Sequence, residues 1–233
     1  MAARIRRTFA AGALGIAAAG ALSGCGGEER ADGHDYATAV EHPCATLHGT
    51  LLHTDVDGDG MADTVSDPNR RSDRTSVTFA DGTGITPGAR AAPKGSGLEA
   101  VSTFGDFDGD GHLDMAIAAG TPDTVDDPAP DAGRVHQVIW GPLGKHLDGK
   151  ATSQITLASG QFVHGLRSSD GDHDGRAELS VFQNGGDGTV NRYPAVFQGR
   201  TVKAVKADGN LYDLAHWPKK FKPGWADVGT CRN

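Results

Sequence analysis

The chain has 233 residues, and its 22 Lys and Arg residues against 30 Asp and Glu residues give a formal net charge of −8. This acidic balance argues against a nucleic-acid partner, because a nucleic-acid-binding surface needs a basic stripe. Glycine accounts for 34 residues, roughly twice the usual share. Because Gly and Asp are poor helix formers, the composition argues against a helix bundle and favours short strands joined by tight turns.

The first 24 residues are typical of a signal peptide. Three arginines lie within the first seven residues, and the uncharged apolar stretch 8–21 follows them. This stretch is shorter than the roughly 20 residues of a membrane-spanning helix. The Leu-Ser-Gly-Cys sequence at 22–25 resembles the bacterial lipobox, which implies cleavage before Cys25 and lipidation of its sulfur. The alternative is an ordinary secretory signal cut near Ala21, with Cys25 incidental.

The lipobox predicts an exported protein that is held at the outer face of the cell membrane by the lipid on Cys25. Residues 25–43 are polar, lack apolar periodicity and are expected to form a flexible tether. Loss of residues 1–24 removes three Arg and no acid, so 19 basic residues remain against 30 acidic ones and the net charge becomes −11. This excess of carboxylates in the predicted mature chain, whose folded domain is predicted at 44–233, favours a cation as a partner.

Three segments share the pattern D-x-D-x-D-G-x-x-[DE], and we call 55–63, 106–114 and 170–178 the first, second and third Asp loops. Acidic side chains at positions 1, 3, 5 and 9, with the main-chain carbonyl of position 7, offer only oxygen ligands, which suit a hard cation. Glycine at position 6 permits the sharp turn. The predicted ligands are Asp55, Asp57, Asp59, Met61 and Asp63 in the first loop; Asp106, Asp108, Asp110, His112 and Asp114 in the second; and Asp170, Asp172, Asp174, Arg176 and Glu178 in the third.

About three Ca²⁺ ions are expected, because a flexible loop with many oxygens meets the demand of Ca²⁺ for 6–8 ligands better than that of Mg²⁺. A single Asp-Gly loop is also consistent with a plain turn, but three copies with the same carboxylate positions favour cation sites. An EF-hand is disfavoured, since it needs a Glu at position 12 and flanking helices. Position 12 is Ser66, Ile117 or Val181 in the three loops.

Each Asp loop lies between two predicted short strands, and a third predicted strand follows after a Gly-, Pro- and Asp-rich stretch. A fourth strand is expected in each unit, so the chain is predicted to be all-β. The strands predicted before the loops are 46–54, 98–104 and 161–167; those directly after the second and third loops are 115–119 and 179–182; and the later ones are 75–79, 134–140 and 192–197.

The segment 104–122, with the strand that follows it, resembles the FG-GAP repeat family, which also occurs as VCBS-type repeats and in the N-terminal propeller of integrin alpha chains. It carries Phe104-Gly105, the Asp loop, and Gly120-Thr-Pro122 where the family has Gly-Ala-Pro. The first and third loops lack the preceding Phe-Gly. The resemblance spans 46–200 and implies β-propeller-type blades of four antiparallel strands, with the cation between the first two strands of each blade.

Three FG-GAP-like repeats are predicted at 46–97, 98–160 and 161–200, and the C-terminal segment 201–233 is expected to close the domain. Residues 206–213 are a candidate for a partial fourth repeat, although they lack the loop spacing. Propellers typically have 4–8 blades. A small or open propeller and a ring assembled from several chains therefore both remain open.

After lipidation of Cys25, two cysteines remain, Cys44 and Cys231, and they bracket the repeats. Export permits a disulfide between them, and in a propeller such a bond would join the first and last blades. The alternative is two unpaired thiols.

The sequence contains neither H-E-x-x-H nor G-x-S-x-G, so no catalytic residue is assigned. The favoured function is a lipid-anchored, calcium-binding surface protein that acts as a binding or adhesion module for an unknown protein or glycan ligand. The alternatives are a hydrolase or lyase acting on envelope polysaccharide, and a purely structural envelope lipoprotein. The membrane is the expected partner of the anchor, and nucleic acid is not expected.

Overall fold

The computed structural model describes residues 43–122 and 135–231. Within these ranges fifteen strands form three sheets, and the single α-helix is one short turn of chain. The all-β prediction is therefore confirmed. The predicted signal peptide, the lipidation site Cys25 and the predicted tether as far as residue 42 lie outside the described residues.

The first sheet is an antiparallel meander whose strands follow one another in chain order. Its strands are β1 (Cys44–Thr46), β2 (Leu51–Thr54), β3 (Asp63–Ser66), β4 (Ser76–Thr78) and β5 (Gly84–Ile85). The helix α1 (Pro87–Ala91) comes directly after it, with its proline in the first turn, where the missing N–H costs no hydrogen bond.

The second sheet begins as another antiparallel meander, and the third sheet follows it in the chain. The meander of the second sheet consists of β6 (Glu99–Gly105), β7 (Asp114–Gly120), β8 (Val135–Trp140) and β9 (Ala151–Leu157). The third sheet contains β10 (Val163–Ser169), β11 (Glu178–Gly186) and β12 (Thr189–Pro194). The last three strands are β13 (Val196–Gln198), β14 (Thr201–Ala204) and β15 (Leu211–Asp213).

The last three strands extend two sheets that were begun earlier in the chain. β15 pairs with β12 and completes a four-stranded third sheet. The hairpin β13–β14 joins the second sheet through a parallel pairing of β14 with β9, which gives that sheet six strands. The sheets therefore have five, six and four strands, whereas four strands were expected in each unit.

Two predicted strands are interrupted. The segment 46–54 contains a tight turn at Leu47–Gly49, where the φ angles of Leu47, His48 and Gly49 are 49°, 56° and 90°. The segment 192–197 is divided between β12 and β13. Pro194 ends β12, because proline has no N–H with which to continue the ladder.

Strand β7 of the second sheet is buried on both faces, and its sequence reflects this position. All seven residues of β7 are buried. Ala116 and Ala118 pack into a core shared with the third sheet, whereas Met115 packs on the opposite side into a core shared with the first sheet. A strand with two buried faces carries a continuous apolar run rather than an alternating pattern.

Ser72, in the connection between β3 and β4 of the first sheet, contacts the other two sheets. Its carbonyl oxygen accepts a hydrogen bond from the N–H of Ser102 in the second sheet, at 2.8 Å. Its hydroxyl oxygen accepts one from the N–H of Leu166 in the third sheet, also at 2.8 Å. Ser72 is buried and has a φ of 60°, so this junction is fixed at a strained backbone position.

The C-terminal segment returns to the first strand of the domain. Cys44 and Cys231 form a disulfide with a sulfur–sulfur distance of 2.12 Å, as predicted. Beside it, the N–H of Ala45 donates to the carbonyl of Gly229 at 2.8 Å, and the N–H of Cys231 donates to the carbonyl of Ala45 at 3.2 Å.

Among the described residues, no helix has the length and apolar character needed to cross a bilayer.

Candidate metal centres

Each Asp loop is the connection between two neighbouring antiparallel strands. The loops join β2 to β3, β6 to β7, and β10 to β11. In all three, the residue before position 1 pairs directly with the residue at position 9: Thr54 with Asp63, Gly105 with Asp114, and Ser169 with Glu178. This register brings the first and last acids of each loop side by side. The strand pairing therefore explains why acids nine positions apart in the motif meet.

The structure gathers three of the four acids in each loop. In each loop, one carboxylate oxygen from each of positions 1, 3 and 9 lies within 4.8 Å of the other two. The three groups are Asp55, Asp57 and Asp63; Asp106, Asp108 and Asp114; and Asp170, Asp172 and Glu178. The acids at position 5 do not belong to these groups.

The position-9 carboxylate is held by the backbone in every loop. One of its oxygens accepts a hydrogen bond from the N–H at position 2, at 2.8, 2.8 and 2.9 Å in the three loops. In the first two loops its other oxygen accepts from a residue that follows the next strand of the sheet. This residue is Ala80, after β4, at 2.9 Å, or Gly141, after β8, at 2.8 Å. The position-9 acid therefore ties its loop to the sheet, while each oxygen keeps a second lone pair for a cation.

The position-1 carboxylate organises the first two loops in the same way. In the second loop, Asp106 Oδ1 accepts from the N–H groups of Gly109 and Asp110, at 2.7 and 3.2 Å, and Oδ2 accepts from Gly111 at 2.9 Å. Asp55 makes the equivalent three bonds in the first loop. Asp170 of the third loop differs, because its Oδ1 is buried without a hydrogen-bond partner.

The position-5 acids shape the turn that leads into position 7. In each loop, Oδ1 of the position-5 acid accepts a hydrogen bond from the N–H of position 7, at 2.8, 2.9 and 2.8 Å. The pairs are Asp59 with Met61, Asp110 with His112, and Asp174 with Arg176. The predicted carbonyl ligands at position 7 stay a prediction.

The glycine at position 6 is needed for its backbone conformation. Gly60, Gly111 and Gly175 have φ angles of 84°, 85° and 86°. A Cβ atom at any of them would meet nothing within 4 Å. The requirement is therefore the left-handed conformation, which side chains disfavour, and not a lack of space.

Four carboxylates of the first two loops resist ionisation. Burial, together with the nearby charges of Asp108 and Asp106, raises the pKa of Asp114 to about 7. Burial also raises the pKa values of Asp57, Asp63 and Asp106. A divalent cation among these groups would reverse this effect, because it stabilises the ionised form.

Two orphaned oxygens test whether the loops fit a cation. Oδ1 of Asp108 and Oδ1 of Asp170 are buried, and each lacks a hydrogen-bond partner in the described structure. Buried polar atoms normally have a partner, so an unpaired one needs an explanation. A cation would serve as a partner for either of these two oxygens, and an oxygen-only donor set fits Ca²⁺.

The second loop lies between the other two. The carbonyl of Val56 in the first loop accepts a hydrogen bond from the N–H of Leu143, which is two residues after the anchoring Gly141. The carbonyl of Asp106 accepts one from the N–H of Ala177 in the third loop, at 2.7 Å.

Two arginines approach the second loop, and the loop pattern did not predict either contact. The Arg176 side chain donates to the carbonyl of Phe107 at 3.2 Å. Arg200 Nε lies 4.0 Å from Asp108 Oδ2. Arg176 was predicted as a carbonyl ligand of its own loop, and Arg200 lies far from the loop in sequence. No spacing signal marks either contact.

Comparison with protein-family models, with curated proteins and with solved structures found no match for this chain. The loops themselves supply the reasons for expecting a cation: three convergent carboxylates in each, raised pKa values, and orphaned buried oxygens in two of them.

Proposed function

We propose that this protein is an exported, lipid-anchored binding module in which each of the three Asp loops holds one Ca²⁺ ion. The observation that carries the proposal is the convergence of the carboxylates at positions 1, 3 and 9 to within 4.8 Å in three separate loops with one strand register. Acidic turns that arose by chance would not be expected to share both the carboxylate positions and the strand register.

The ions would act structurally. Each would neutralise the acids that the loop concentrates, and three divalent ions would change the charge of the predicted mature chain from −11 to −5. Removal of this repulsion stabilises the folded state. Because each loop connects two neighbouring strands at one end of its sheet, bound ions would also fix the geometry of the neighbouring connections.

We further propose that the three sheets are propeller-type blades of the FG-GAP kind. In support, each sheet contains a four-stranded antiparallel meander with its Asp loop between the first two strands. The meanders are β2–β5, β6–β9, and β10–β12 with β15. A binding or adhesion role toward a protein or glycan ligand follows from this resemblance, and the anchor follows from the lipobox at Cys25.

Calorimetric titration of chelator-stripped protein with Ca²⁺ tests the metal sites. We expect about three ions per chain and a higher melting temperature, since each site contributes about 2.7 kcal/mol at a hundredfold excess over its dissociation constant. Asp172→Asn should remove one ion. The matched control is Asp187→Asn, which removes the same charge at an exposed turn outside the loops. A stoichiometry near zero, or an unchanged melting temperature in EDTA, would overturn the proposal.

The anchor is tested by detergent phase partitioning of the wild type and Cys25→Ala. The wild type should enter the detergent phase and the variant the aqueous phase. Equal partitioning would show that Cys25 carries no lipid.

A further inference from the structure

A narrow cleft rich in cationic side chains lies between the third sheet and the C-terminal segment. We call it the arginine cleft, and the residues that matter here are Arg70, Arg167, Trp217, Phe221 and Lys222. Its enclosed part has a volume of about 10 Å³, which is room for one water-sized atom. None of these five residues belongs to an Asp loop, and the cationic side chains among them contrast with the acidic loops in charge.

Two buried N–H donors among the residues that line the cleft have no partner. Trp217 is only 1% exposed, and its indole Nε1 lacks a hydrogen-bond acceptor. Arg70 Nε is also buried without an acceptor, although the terminal nitrogen of Arg70 donates to the carbonyls of Pro218 and Phe221. An unsatisfied buried donor is costly, and native structures rarely keep one.

The other tryptophans show that this is a local property. The indole N–H of Trp140 donates to Ser153 Oγ at 2.8 Å, and that of Trp225 donates to the carbonyl of Phe104 at 3.0 Å. Both residues are as buried as Trp217. Of the three indole groups, only that of Trp217 lacks an acceptor.

Positive charge is concentrated around Phe221. The guanidinium carbons of Arg167 and Arg192 lie 5.7 and 5.2 Å from the centre of its ring. The Arg167 side chain is only 14% exposed. Burial lowers the pKa of Arg167, the charges of Arg192 and Arg70 lower it further, and Asp227 opposes them.

Nearby carboxylates offset part of this charge. Asp227 lies 2.9 Å from Lys222 Nζ and 3.8 Å from the Arg167 guanidinium. Arg192 pairs with Asp208 at 2.7 Å. Asp67 also lines the cleft, but both its oxygens accept from the N–H of Ser72, at 3.2 and 3.3 Å.

We propose that the arginine cleft binds an oxyanion, namely a carboxylate, sulfate or phosphate group. One oxygen of the group accepts hydrogen bonds from Trp217 Nε1–H and Arg70 Nε–H in the enclosed part, and its other oxygens interact with Arg167 and Lys222 at the rim. This assignment supplies acceptors to both orphaned donors and a counter-charge to the cations, which a water molecule or a metal cation cannot do together.

Nuclear magnetic resonance of the full chain labelled with nitrogen-15 tests the proposal directly. The chain has three tryptophans, so three indole N–H signals are expected, and single Trp→Phe variants assign them. The protein is titrated with sodium sulfate and, separately, with sodium acetate. Sodium chloride keeps the ionic strength constant, and Ca²⁺ is held at one concentration throughout.

The Trp217 signal should move in a saturable manner with sulfate, with acetate or with both, while the Trp140 signal stays in place. A response to acetate alone assigns the site to carboxylates, and a response to sulfate assigns it to tetrahedral oxyanions. If the Trp217 signal moves no more than the Trp140 signal, or moves equally with chloride alone, the proposal is wrong. The same conclusion applies if a bridging water satisfies the donors, because neither titration would then move the signal.

Arg167→Gln should weaken binding about tenfold or more, as expected for loss of one charge-assisted contact. Arg90→Gln is the matched control, because Arg90 is an exposed arginine on α1 that does not line the cleft. Equal weakening by both substitutions would indicate a general charge effect and overturn the site. Should Arg167→Gln fail to fold, the titration of the wild type still decides the question.

Discussion

Asp114 combines two roles at the scale of a single residue. Its carboxylate is completely buried, and its two oxygens accept hydrogen bonds from the N–H groups of Phe107 and Gly141, both at 2.8 Å. These bonds join the second Asp loop to the chain that follows β8. Asp110, in the same loop, is exposed and accepts only from the N–H of His112. Asp114 therefore joins two separate segments of the chain, whereas Asp110 stabilises a turn within its own loop.

We expect Asp114→Asn to lower the free energy of unfolding by about 1–3 kcal/mol even in EDTA. Asparagine has one acceptor oxygen, so its amide NH₂ would face one of the two backbone donors. Asp110→Asn keeps the oxygen that its partner needs and should change stability by less than about 0.5 kcal/mol. Denaturant unfolding in chelator at about pH 4 measures both. Asp114, with a pKa of about 7, is uncharged in the folded chain at that pH, so the substitution does not also relieve a buried charge. Similar losses in the two variants would contradict the anchoring role.

The ionisation of Asp67 makes the stability of the protein depend on pH. Burial, with a smaller contribution from the charge of Asp73, raises the pKa of Asp67 from 3.8 to about 6. Between these two values the folded chain holds a proton that the unfolded chain releases. The contribution of Asp67 to stability is therefore most favourable below about pH 4 and is lost as pH rises to about 6.

Asp67→Asn should accordingly flatten the decline of stability between pH 4 and 6 and stabilise the protein at neutral pH, by at most about 3 kcal/mol. One amide oxygen suffices for the N–H of Ser72, which both carboxylate oxygens now share. The measurement is the free energy of unfolding as a function of pH. Asp73→Asn, at an exposed position, serves as the control and should retain most of the slope. An unchanged slope in Asp67→Asn would contradict the assignment.

At the scale of elements, the third Asp loop is less well adapted than the other two. Position 4 adopts a left-handed conformation in all three loops, with φ angles of 78° at Gly58, 76° at Gly109 and 60° at His173. Only the third loop places a side chain there, which costs about 1 kcal/mol or more. The third loop thus adopts the same backbone conformation with a residue that is less suited to a positive φ.

His173→Gly should stabilise the domain by about 0.5–1 kcal/mol, because relief of the left-handed strain exceeds the added flexibility of the unfolded chain. His112→Gly is the matched control. His112 does not adopt a positive φ, so the same substitution there should destabilise the domain by a similar amount. Thermal melting at one calcium concentration compares them. Shifts in the same direction would show that strain at His173 is not the cause.

The elements that could be predicted from the sequence are those determined by neighbouring residues. The Asp spacing, with glycine at position 6, indicates a turn between two strands, and Asp63 and Asp114 do lie opposite the residues that precede their loops. The pairing of β14 with β9 could not be predicted. Val202 and Ala204 alternate with exposed residues as in any strand, and the choice of partner depends on packing between distant segments.

The same limit applies to the candidate site. Positions 1, 3 and 9 converge as the motif predicts, because the loop and its hairpin are local. The approach of Arg200 to Asp108 depends instead on how the hairpin β13–β14 docks on the second sheet. The orphaned N–H of Trp217 likewise becomes visible only when the surrounding core is in place.

At the scale of the whole molecule, the ends of the described domain are joined to each other. The disulfide between Cys44 and Cys231 closes a loop with a sequence separation of 187. The backbone bonds between Ala45 and the C-terminal segment hold the same junction without covalent help. The disulfide therefore acts mainly by limiting the unfolded chain.

Replacement of both cysteines by serine should lower the free energy of unfolding by up to about 5 kcal/mol in the chain-entropy account. Cys25→Ser is the control, because it replaces a cysteine outside the pair and should leave melting unchanged. Thermal unfolding without reductant measures both variants. If the double variant melts with the wild type, the bond contributes nothing to stability.

The disulfide also determines how the domain would bear a mechanical load. Tension applied at Pro43 reaches Cys44 one residue later, and the covalent bond passes it directly to Cys231. A pull between the two ends of the chain then bypasses the sheets and the Asp loops between the cysteines. Neither β1 nor the C-terminal segment can be peeled away from its end, so the proposed cation sites would keep their shape when the two ends of the chain are pulled apart.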